Sequence, residues 1–253
     1  MRALEGMSVL ITGGGSGIGE GAATHFANKG ARVTITGRRE EPLAKTASTI
    51  GTNVHYLVGD VTKAEDRKRM VKESVQHGDG LEVLISNAGN IYRSDVEDYD
   101  EEQLLGLFHS NVVGGMMLLK ESIHHLKESK GCALFVGSVH TQRAFPNASP
   151  YAATKGALET LTGVLAAELG KYDVRVGCVR PGGVITEINV RAGLSTADEA
   201  RERLEGMGNM HALGRIGTVE EVAEACEYLA TAEWATGNVL TIDGGLGLGV
   251  TQE

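Results

Sequence analysis

The stretch TGGGSGIG at residues 12–19 carries five glycines in eight positions, and it directly follows the apolar run MSVLI at 7–11. One glycine would fit a turn, but five after a strand-like run indicate that something bulky and charged approaches the main chain. Between a strand and a helix, such a turn can hold a pyrophosphate, because helix N-terminal N–H groups point at the anion and glycines let it come close. The spacing of Gly13, Gly17 and Gly19 differs from G-x-G-x-x-G, so a glycine turn without a ligand remains the alternative.

Six further apolar runs rich in valine and isoleucine follow the first, separated by stretches with apolar residues three or four apart. The runs cover 31–37, 54–60, 81–89, 132–138, 174–182 and 238–245. Continuous apolar strands indicate burial on both faces, and alternation with helices indicates parallel pairing. The sequence therefore predicts an α/β fold, a doubly wound parallel sheet of the Rossmann type with about seven strands and helices on both faces.

The length of 253 residues fits a single domain over 1–253. Two long helices are expected at about 100–128 and 149–171. The one long irregular segment, 183–217, is predicted to cover the substrate, since long loops in compact domains often carry function.

Composition excludes several classes of protein. The formal net charge is −9 and no block of five Lys or Arg occurs, so we expect no nucleic acid partner. The apolar runs are far shorter than the roughly 18 residues of a membrane span, and the N-terminus lacks the pattern of a signal peptide. Three cysteines, each alone in an apolar run, predict buried reduced thiols, no metal site and a cytoplasmic location.

The end of the second predicted strand bears on the choice of cofactor. NAD binders of this kind place a carboxylate there for the ribose 2′-hydroxyl, but this chain has Gly37. Arg38 follows, and its forked guanidinium suits the oxygens of a 2′-phosphate. A solvated pair with Arg39 is the alternative, although cations oppose the dipole at a helix start. We therefore predict that NADP(H) is favoured over NAD(H).

Polar residues also follow the third and fourth predicted strands, where the carboxyl ends of parallel strands face a ligand crevice. Asp60, with Val61 beside it, is placed to accept a hydrogen bond from the adenine amino group. Asn87 and Gly89 are placed to line the ribose. Each of these residues would also fit an ordinary turn.

The segment SPYAATKGAL opens a long helix that places Tyr151 and Lys155 one turn apart on the same face. A tyrosine is a weak acid near neutral pH, and a nearby ammonium stabilises the phenolate. Tyr151 could then exchange a proton with a substrate oxygen, while Ser138, at the end of the fifth strand, hydrogen-bonds that oxygen. A Y-x-x-x-K pair alone is usually an ordinary helix pair, and it becomes specific only together with the serine and the glycine turn.

Taken together, these motifs make the chain resemble the short-chain dehydrogenase/reductases from about residue 7 to 245. The family's motifs occur in order: T-G-x-x-x-G-I-G at 12–19, including Ser16 and Ile18, N-A-G at 87–89, an asparagine at 111, Ser138, Tyr151, Lys155, P-G at 181–182 with Thr186, and D-G-G at 243–245.

The resemblance implies further roles. Asn111 would hold a water that links the lysine to a proton relay, and Lys155 would also bind the nicotinamide ribose hydroxyls. The backbone near Val184 and the hydroxyl of Thr186 would contact the nicotinamide carboxamide. The resemblance also implies a homotetramer.

The substrate pocket departs from the family pattern. Thr141 stands where a glycine is common, and His140 precedes it, so the pocket wall is more polar than average. We assign His140 and Ile91 to this pocket. SVHTQRAFP and PGGVITEIN are loosely similar to the sugar- and polyol-oxidising members.

The prediction is an NADP(H)-dependent short-chain alcohol dehydrogenase or carbonyl reductase acting on a small-molecule carbonyl or alcohol. Three alternatives remain: the same chemistry on a sugar or polyol with NAD(H), a nucleotide-sensing regulator without catalysis, and reduction of an enoyl double bond. The intact Ser138, Tyr151 and Lys155 argue against the regulator, and the Tyr–Lys spacing of four argues against the enoyl reductase.

Overall fold

The computed structural model describes residues 1–186, 188–194, 196, 198–199, 202 and 206–250. Its seven β-strands coincide with the seven apolar runs. They are β1 (Ser8–Thr12), β2 (Arg32–Gly37), β3 (Val54–Val58), β4 (Val83–Ser86), β5 (Cys132–Val136), β6 (Arg175–Pro181) and β7 (Asn238–Ile242). All pair in parallel in one sheet, in the order β3-β2-β1-β4-β5-β6-β7. The predicted doubly wound parallel sheet is confirmed.

Helices connect the strands and cover both faces of the sheet. They are α1 (Gly17–Asn28), α2 (Glu40–Ile50), α3 (Ala64–Gly78), α4 (Glu101–Phe108), α5 (Gly114–Ser129), α6 (Ser149–Leu169), α7 (Ile188–Arg191) and α8 (Val219–Thr231). One core cluster joins α1, α2 and α8 to the sheet through residues such as Phe26, Leu43 and Leu229. The other joins α3, α5 and α6 through Met70, Leu118 and Leu158.

The structure corrects the sequence interpretation at one long helix and in one segment predicted as irregular. The helix expected over about 100–128 is interrupted by a π-helical turn, His109–Val113, in which the Gly114 N–H bonds the carbonyl of His109. For α2 the sequence indicated only a helix start near Arg38 and Arg39, and the structure gives its bounds as Glu40–Ile50. The segment 183–217, predicted as irregular, contains the short helix α7 and a 3₁₀ turn at Gly208–Met210.

The topology determines where a ligand can bind. The chain leaves β3 at one edge and enters β4 on the other side of β1, so the strand order reverses between β1 and β4. In open α/β sheets, ligands bind outside the carboxyl ends of the strands at such a reversal. The glycine turn after β1 lies at this point.

Cys132, Cys178 and Cys226 are free and buried, as predicted. Burial raises the pKa of Cys132 to about 11 and the pKa values of Cys178 and Cys226 to about 12. These thiols therefore stay protonated at neutral pH. None of the helices in the described part of the chain has the length and apolar character needed to cross a membrane.

Candidate active site

A cleft opens at the carboxyl ends of β1, β4, β5 and β6, and most of the predicted site residues line it. These are Gly13, Ser16, Gly17, Ile18, Asn87, Gly89, Ile91, Ser138, His140, Tyr151, Lys155, Val184 and Thr186. Residues more than 170 positions apart in the sequence thus share one wall. The groups predicted to bind a nucleotide and those predicted to do chemistry lie side by side.

The glycine turn forms one end of the cleft, and its backbone leaves no room for side chains. Gly13 and Gly17 have φ angles of +70° and +58°, a conformation that favours glycine. A β-carbon on Gly17 would lie 3.1 Å from the side chain of Thr186 across the cleft. A β-carbon on Gly19 would run into the carbonyl oxygen of Gly13. One methyl group would fill the space that this turn encloses. The turn leads directly into the N-terminus of α1, so it fits a pyrophosphate.

Thr12 and Asn87 hold the turn in place. The buried hydroxyl of Thr12 accepts hydrogen bonds from the N–H groups of Asn87 (3.1 Å) and Ala88 (2.9 Å). The amide of Asn87 in turn donates to the carbonyls of Thr12 (2.9 Å) and Gly13 (3.3 Å). The side chain of Asn87 therefore binds the glycine turn itself. Thr12 was not predicted, although its place directly before the first glycine of the motif is a usable signal.

Arg38 lies in a second depression that adjoins the glycine turn. Gly13, Gly15, Ser16 and Gly37 also line this depression. The guanidinium is exposed and donates to Oδ1 of Asn90 over 3.3 Å. A cationic side chain thus stands beside the turn, on the side where β2 ends.

Asp60 and Val61 follow β3 but are not among the residues that line the cleft. Oδ1 of Asp60 accepts from the N–H (2.9 Å) and the hydroxyl (2.8 Å) of Thr62. Burial raises the pKa of Asp60, but these hydrogen bonds and the charges of Arg38 and Lys63 together hold it below its usual value. The carboxylate is therefore ionised and held by its own turn, and its predicted contact with adenine stays a prediction.

Tyr151 and Lys155 lie on one face of α6, both almost completely buried. The ammonium of Lys155 donates to the carbonyl of Val136 at the end of β5 (2.7 Å). It lies 5.4 Å from the centre of the Tyr151 ring. The strand end thus holds the cation beside the phenol, as the Y-x-x-x-K spacing predicted.

Ser138 and His140 form a hydrogen-bonded pair after β5. Ser138 begins a 3₁₀ turn, and its Oγ lies 3.0 Å from Nδ1 of His140 and accepts from the N–H of His140 over 3.4 Å. The His140 ring is also tilted against Phe145 (4.6 Å between centres) and edge-on to Tyr151 (5.2 Å). The structure therefore brings His140 next to two of the predicted catalytic side chains, Ser138 and Tyr151.

Asn111 lies behind the cleft, in the π-helical turn. Its Nδ2 donates to the carbonyl of Asn90 (2.9 Å) and to the hydroxyl of Thr154 (3.1 Å). Its Oδ1 accepts from the N–H of Asn90 (2.8 Å) and from Ser110 (3.1 Å). The side chain thus clamps the loop after β4 to the residue before Lys155. π-helical turns are frequent at functional sites. The water that Asn111 would hold as part of a proton relay stays a prediction.

A polar network holds the turn that Ser138 begins. Thr141 Oγ1 lies 2.9 Å from the carbonyl oxygen of Ser138 and 2.7 Å from Oε1 of Glu159. Glu159 forms a bidentate pair with Arg180 on β6, at 2.8 and 2.6 Å. Both side chains are 13% exposed. Glu159 was missed, although it follows Lys155 by four residues and so shares its helix face.

The segment after β6 closes the other side of the cleft. Val184 forms a parallel bridge with Gly217, and the N–H of Gly217 donates to the carbonyl of Gly183 (2.8 Å). The buried ring of His211 lies 3.3 Å from the N–H of Gly183 through Nε2 and 2.9 Å from the carbonyl of Met207 through Nδ1. His211 thereby ties the start of the segment to its end.

Several residues that line the cleft were not predicted, namely Arg93, Phe145, Ile188, Met207 and Leu246. They lie in loops, in short turns and, for Ile188, at the start of the four-residue helix α7, and no local pattern specifies the path of these segments. Within the described ranges, no group of three or more His, Cys, Asp or Glu side chains could hold a metal ion.

Comparisons with known proteins agree with this geometry. Residues 13–247 match a family model described as "Enoyl-(Acyl carrier protein) reductase". Glucose 1-dehydrogenase of Gluconobacter oxydans is 36% identical over 96% of this chain and 92% of its own length. (+)-Borneol dehydrogenase 1 of Salvia officinalis is 34% identical, covering 96% and 95%, and L-fucose dehydrogenase of Bos taurus is 34% identical, covering 96% and 90%.

Solved structures match over nearly the whole chain. A 3-ketoacyl-(acyl-carrier-protein) reductase from Brucella melitensis, complexed with NADH, has a TM-score of 0.87 and 30% identity, covering 96% of this chain and 99% of its own. A short chain dehydrogenase/reductase family protein has a TM-score of 0.83 and 32% identity, covering 96% and 98%.

Proposed function

The chain belongs to the short-chain dehydrogenase/reductase family of oxidoreductases, and we propose that it is an NADP(H)-dependent alcohol dehydrogenase or carbonyl reductase. The reaction is transfer of a hydride between the nicotinamide, which supplies the redox chemistry when bound, and a carbonyl or secondary alcohol. One observation carries the proposal: Ser138, Tyr151 and Lys155 line the same cleft as the glycine turn.

Tyr151 is the general acid and base of this proposal. Its phenol gives a proton to the oxygen of a carbonyl substrate, or takes one from an alcohol. Lys155, held 5.4 Å from the ring centre by the Val136 carbonyl, stabilises the phenolate. Ser138 hydrogen-bonds the substrate oxygen and so holds it within reach of Tyr151. General acid–base catalysis contributes about 10²–10⁴-fold.

The residues that would hold the cofactor follow from the shape of the cleft. Backbone N–H groups of the turn 13–19 that lie at the start of α1 would bind the pyrophosphate, since those of Gly13 and Gly14 donate to the carbonyl of Thr36. Asn87 and Gly89 would lie along the ribose, and Asp60 and Val61 near the adenine. Lys155 would bind the nicotinamide ribose, and Val184 and Thr186 the carboxamide. Thr186 supports this assignment by facing Gly17 across the cleft.

The preference for NADP(H) rests on Arg38. It lines a depression that Gly37, without a carboxylate, shares with the glycine turn. A guanidinium here favours a 2′-phosphate, whereas the ribose 2′-hydroxyl of NAD(H) finds no carboxylate partner from β2.

A second candidate is oxidation of a sugar or polyol with NAD(H). The relatives named as glucose and fucose dehydrogenases favour it, and so does the polar pocket wall at His140 and Thr141. The description of the matched family model names a third reaction, on an enoyl group. The Tyr151–Lys155 spacing of four does not favour that reaction.

We also propose a homotetramer, as the family resemblance implied. Apolar side chains stay exposed on α4, the π-helical turn and α5: Leu105 is 65% exposed, Val113 42% and Met116 43%. Helices that are apolar beyond the stripe facing their own core bury the excess against a partner. Light scattering at micromolar concentration should give four times the mass of one chain, and a monomer mass would refute this assembly.

The remaining proposals concern organisation and location. We treat 1–253 as one catalytic domain in which the segment 183–217 covers the substrate; Met207 supports the latter because it lines the cleft. Three buried protonated thiols suit a reducing cytoplasm.

A panel of ketones, aldehydes, sugars and polyols, each tested with both cofactors, examines the function directly. We expect a change in nicotinamide absorbance with a carbonyl or alcohol, faster with NADP(H). Cofactor binding without turnover on any member of the panel would favour the nucleotide-sensing alternative. Turnover of sugars alone, with NAD(H), would favour the second candidate.

A further inference from the structure

His140 lies where it can control the hydrogen bonds of Ser138. Its Nδ1 is 3.0 Å from the serine Oγ, and its backbone N–H points at the same oxygen over 3.4 Å. Phe145 and Tyr151 contact the ring on other sides, which fixes its orientation. The ring belongs to the cleft wall, but the proposed proton transfer does not use it.

A serine hydroxyl has one proton and two lone pairs. When Nδ1 of His140 carries a proton, it donates to Oγ, and the serine proton is left for a carbonyl oxygen of the substrate. When Nδ1 is unprotonated, it accepts the serine proton, and Ser138 then has no proton for the substrate oxygen. Because the single proton of an alcohol hydroxyl goes to Tyr151, Ser138 must donate to the substrate oxygen with either substrate. The tautomer of one imidazole thus decides whether Ser138 can donate to the substrate oxygen.

We propose that His140 is a positioning residue: its Nδ1–H donates to Oγ of Ser138 and so directs the serine proton at the substrate oxygen, in a carbonyl and in an alcohol alike. This inference rests on the proposed function for its kinetic consequence, but the contact between the two side chains can be tested without turnover.

Four variants separate an effect through Ser138 from a general effect on the pocket. His140→Phe fills a similar volume between two aromatic rings and removes the polar atom. His140→Asn keeps a polar atom near the position of Nδ1. Ser138→Ala removes the partner, and the double variant Ser138→Ala/His140→Phe completes the cycle.

We expect His140→Phe to lower kcat/KM about three- to tenfold, the size of one hydrogen bond. His140→Asn should recover most of this loss. In the Ser138→Ala background, His140→Phe should change kcat/KM less than twofold. Cofactor affinity, followed by fluorescence titration, should stay within twofold in all four variants. An equal loss in both backgrounds would overturn the proposal, since His140 would then act independently of the serine.

A spectroscopic experiment tests the contact between His140 and Ser138 if Ser138→Ala leaves no measurable activity. Long-range ¹H–¹⁵N spectra of histidine-labelled protein report the tautomer of each ring, and the His140 signals are those lost in His140→Asn. Ser138→Ala should shift the His140 Nδ1 resonance. An unchanged resonance would refute the pairing, whereas absence of turnover in the wild type would refute the proposed function and leave this experiment valid.

Discussion

The two ends of the cleft are built from different parts of the chain. At the nucleotide end, the main chain forms the surface: Gly13 and Gly17 adopt positive φ angles, and the amide of Asn87 holds two carbonyls of the turn. At the chemical end, side chains form the surface: Ser138 and Tyr151 are each 8% exposed. One end depends on an absence of side chains, and the other on their presence.

This difference affects how each end responds to substitution. At the nucleotide end, a new side chain displaces the backbone, so cofactor affinity and folding stability should change together. At the chemical end, a hydroxyl can be removed while the fold is kept, so the rate should change alone. The predictions below test this division, from the largest expected effect to the smallest.

Tyr151→Phe should separate rate from binding at the chemical end. It keeps the ring that His140 and Lys155 contact and removes only the hydroxyl. Turnover should fall at least about 10²-fold, because acid–base catalysis is lost, while cofactor affinity stays within about twofold. Steady-state kinetics and a cofactor titration measure the two quantities. Turnover within about threefold of the wild type would contradict the proposed role.

Gly19→Ala should couple binding to stability at the nucleotide end. Its methyl group would meet the Gly13 carbonyl oxygen and lie 2.6 Å from Nδ2 of Asn87. Overpacking of this kind costs about 1–3 kcal/mol, so both the free energy of unfolding and the affinity for the cofactor should fall.

A matched control exists in α6, where nothing lies within 4 Å of a β-carbon on Gly163. Gly163→Ala should keep cofactor affinity and hold or raise stability, because alanine is the better helix former. Denaturant unfolding and fluorescence titration of both variants provide the comparison. If Gly19→Ala lost folding stability but kept its affinity for the cofactor, the expected coupling between these two quantities would be refuted.

Arg38→Asp should reverse the cofactor preference without changing the chemistry. A charge-assisted hydrogen bond is worth about 1.5–3 kcal/mol, or about 10- to 150-fold. Because of salt screening and the neutral Ser16, we expect a wild-type preference for NADP(H) in the lower half of that range. The aspartate removes the phosphate's partner and adds repulsion.

The ratio of kcat/KM with NADP(H) to that with NAD(H) is the measurement. Lys171→Asp, which makes the same change of charge on a residue that follows α6, serves as the control and should leave the ratio unchanged. Equal or better use of NAD(H) by the wild type would show that Arg38 does not select the cofactor.

Glu221→Gln should have the smallest effect, because this residue lies outside both ends of the cleft. Hydrogen bonds from Arg215 and from the N–H of Thr218 lower the pKa of Glu221 to about 2. The pair is partly exposed, at 55% and 37%, so it contributes less than about 1 kcal/mol. A lowered pKa stabilises the fold above the unfolded value of 4.5 and loses this effect as pH falls towards 2.

Unfolding curves of the wild type and of Glu221→Gln should therefore differ slightly at pH 7 and converge between pH 4.5 and 2. A difference that persists at pH 2 would show that the residue acts through the capping of α8 and not through its charge.

The strands were predictable because each is a continuous apolar run buried from both sides. The break between α4 and α5 was not, because apolar spacing cannot distinguish a bond from residue i to i+4 from a bond to i+5. Periodicity thus reports burial, and it does not report backbone hydrogen bonding.

In the site, glycines and the serine, tyrosine and lysine were predictable because they combine in a specific order. Phe145, Met207 and Leu246 were not, because their place in the cleft depends on how loops fold back. The pairing of His140 with Ser138 was predictable only in part. The spacing placed the ring near the pocket, but the contact depends on the 3₁₀ turn that Ser138 caps.

The bridge between Val184 and Gly217 has a consequence for how such a chain can evolve. It closes the intervening segment at its base, against the end of the sheet. Insertions between these two residues therefore need not alter any strand register. For a flexible loop, each doubling in length costs only about 0.6 kcal/mol of closure entropy. The length and the side chains of this segment can thus vary at little thermodynamic cost, while Ser138, Tyr151 and Lys155 keep their positions.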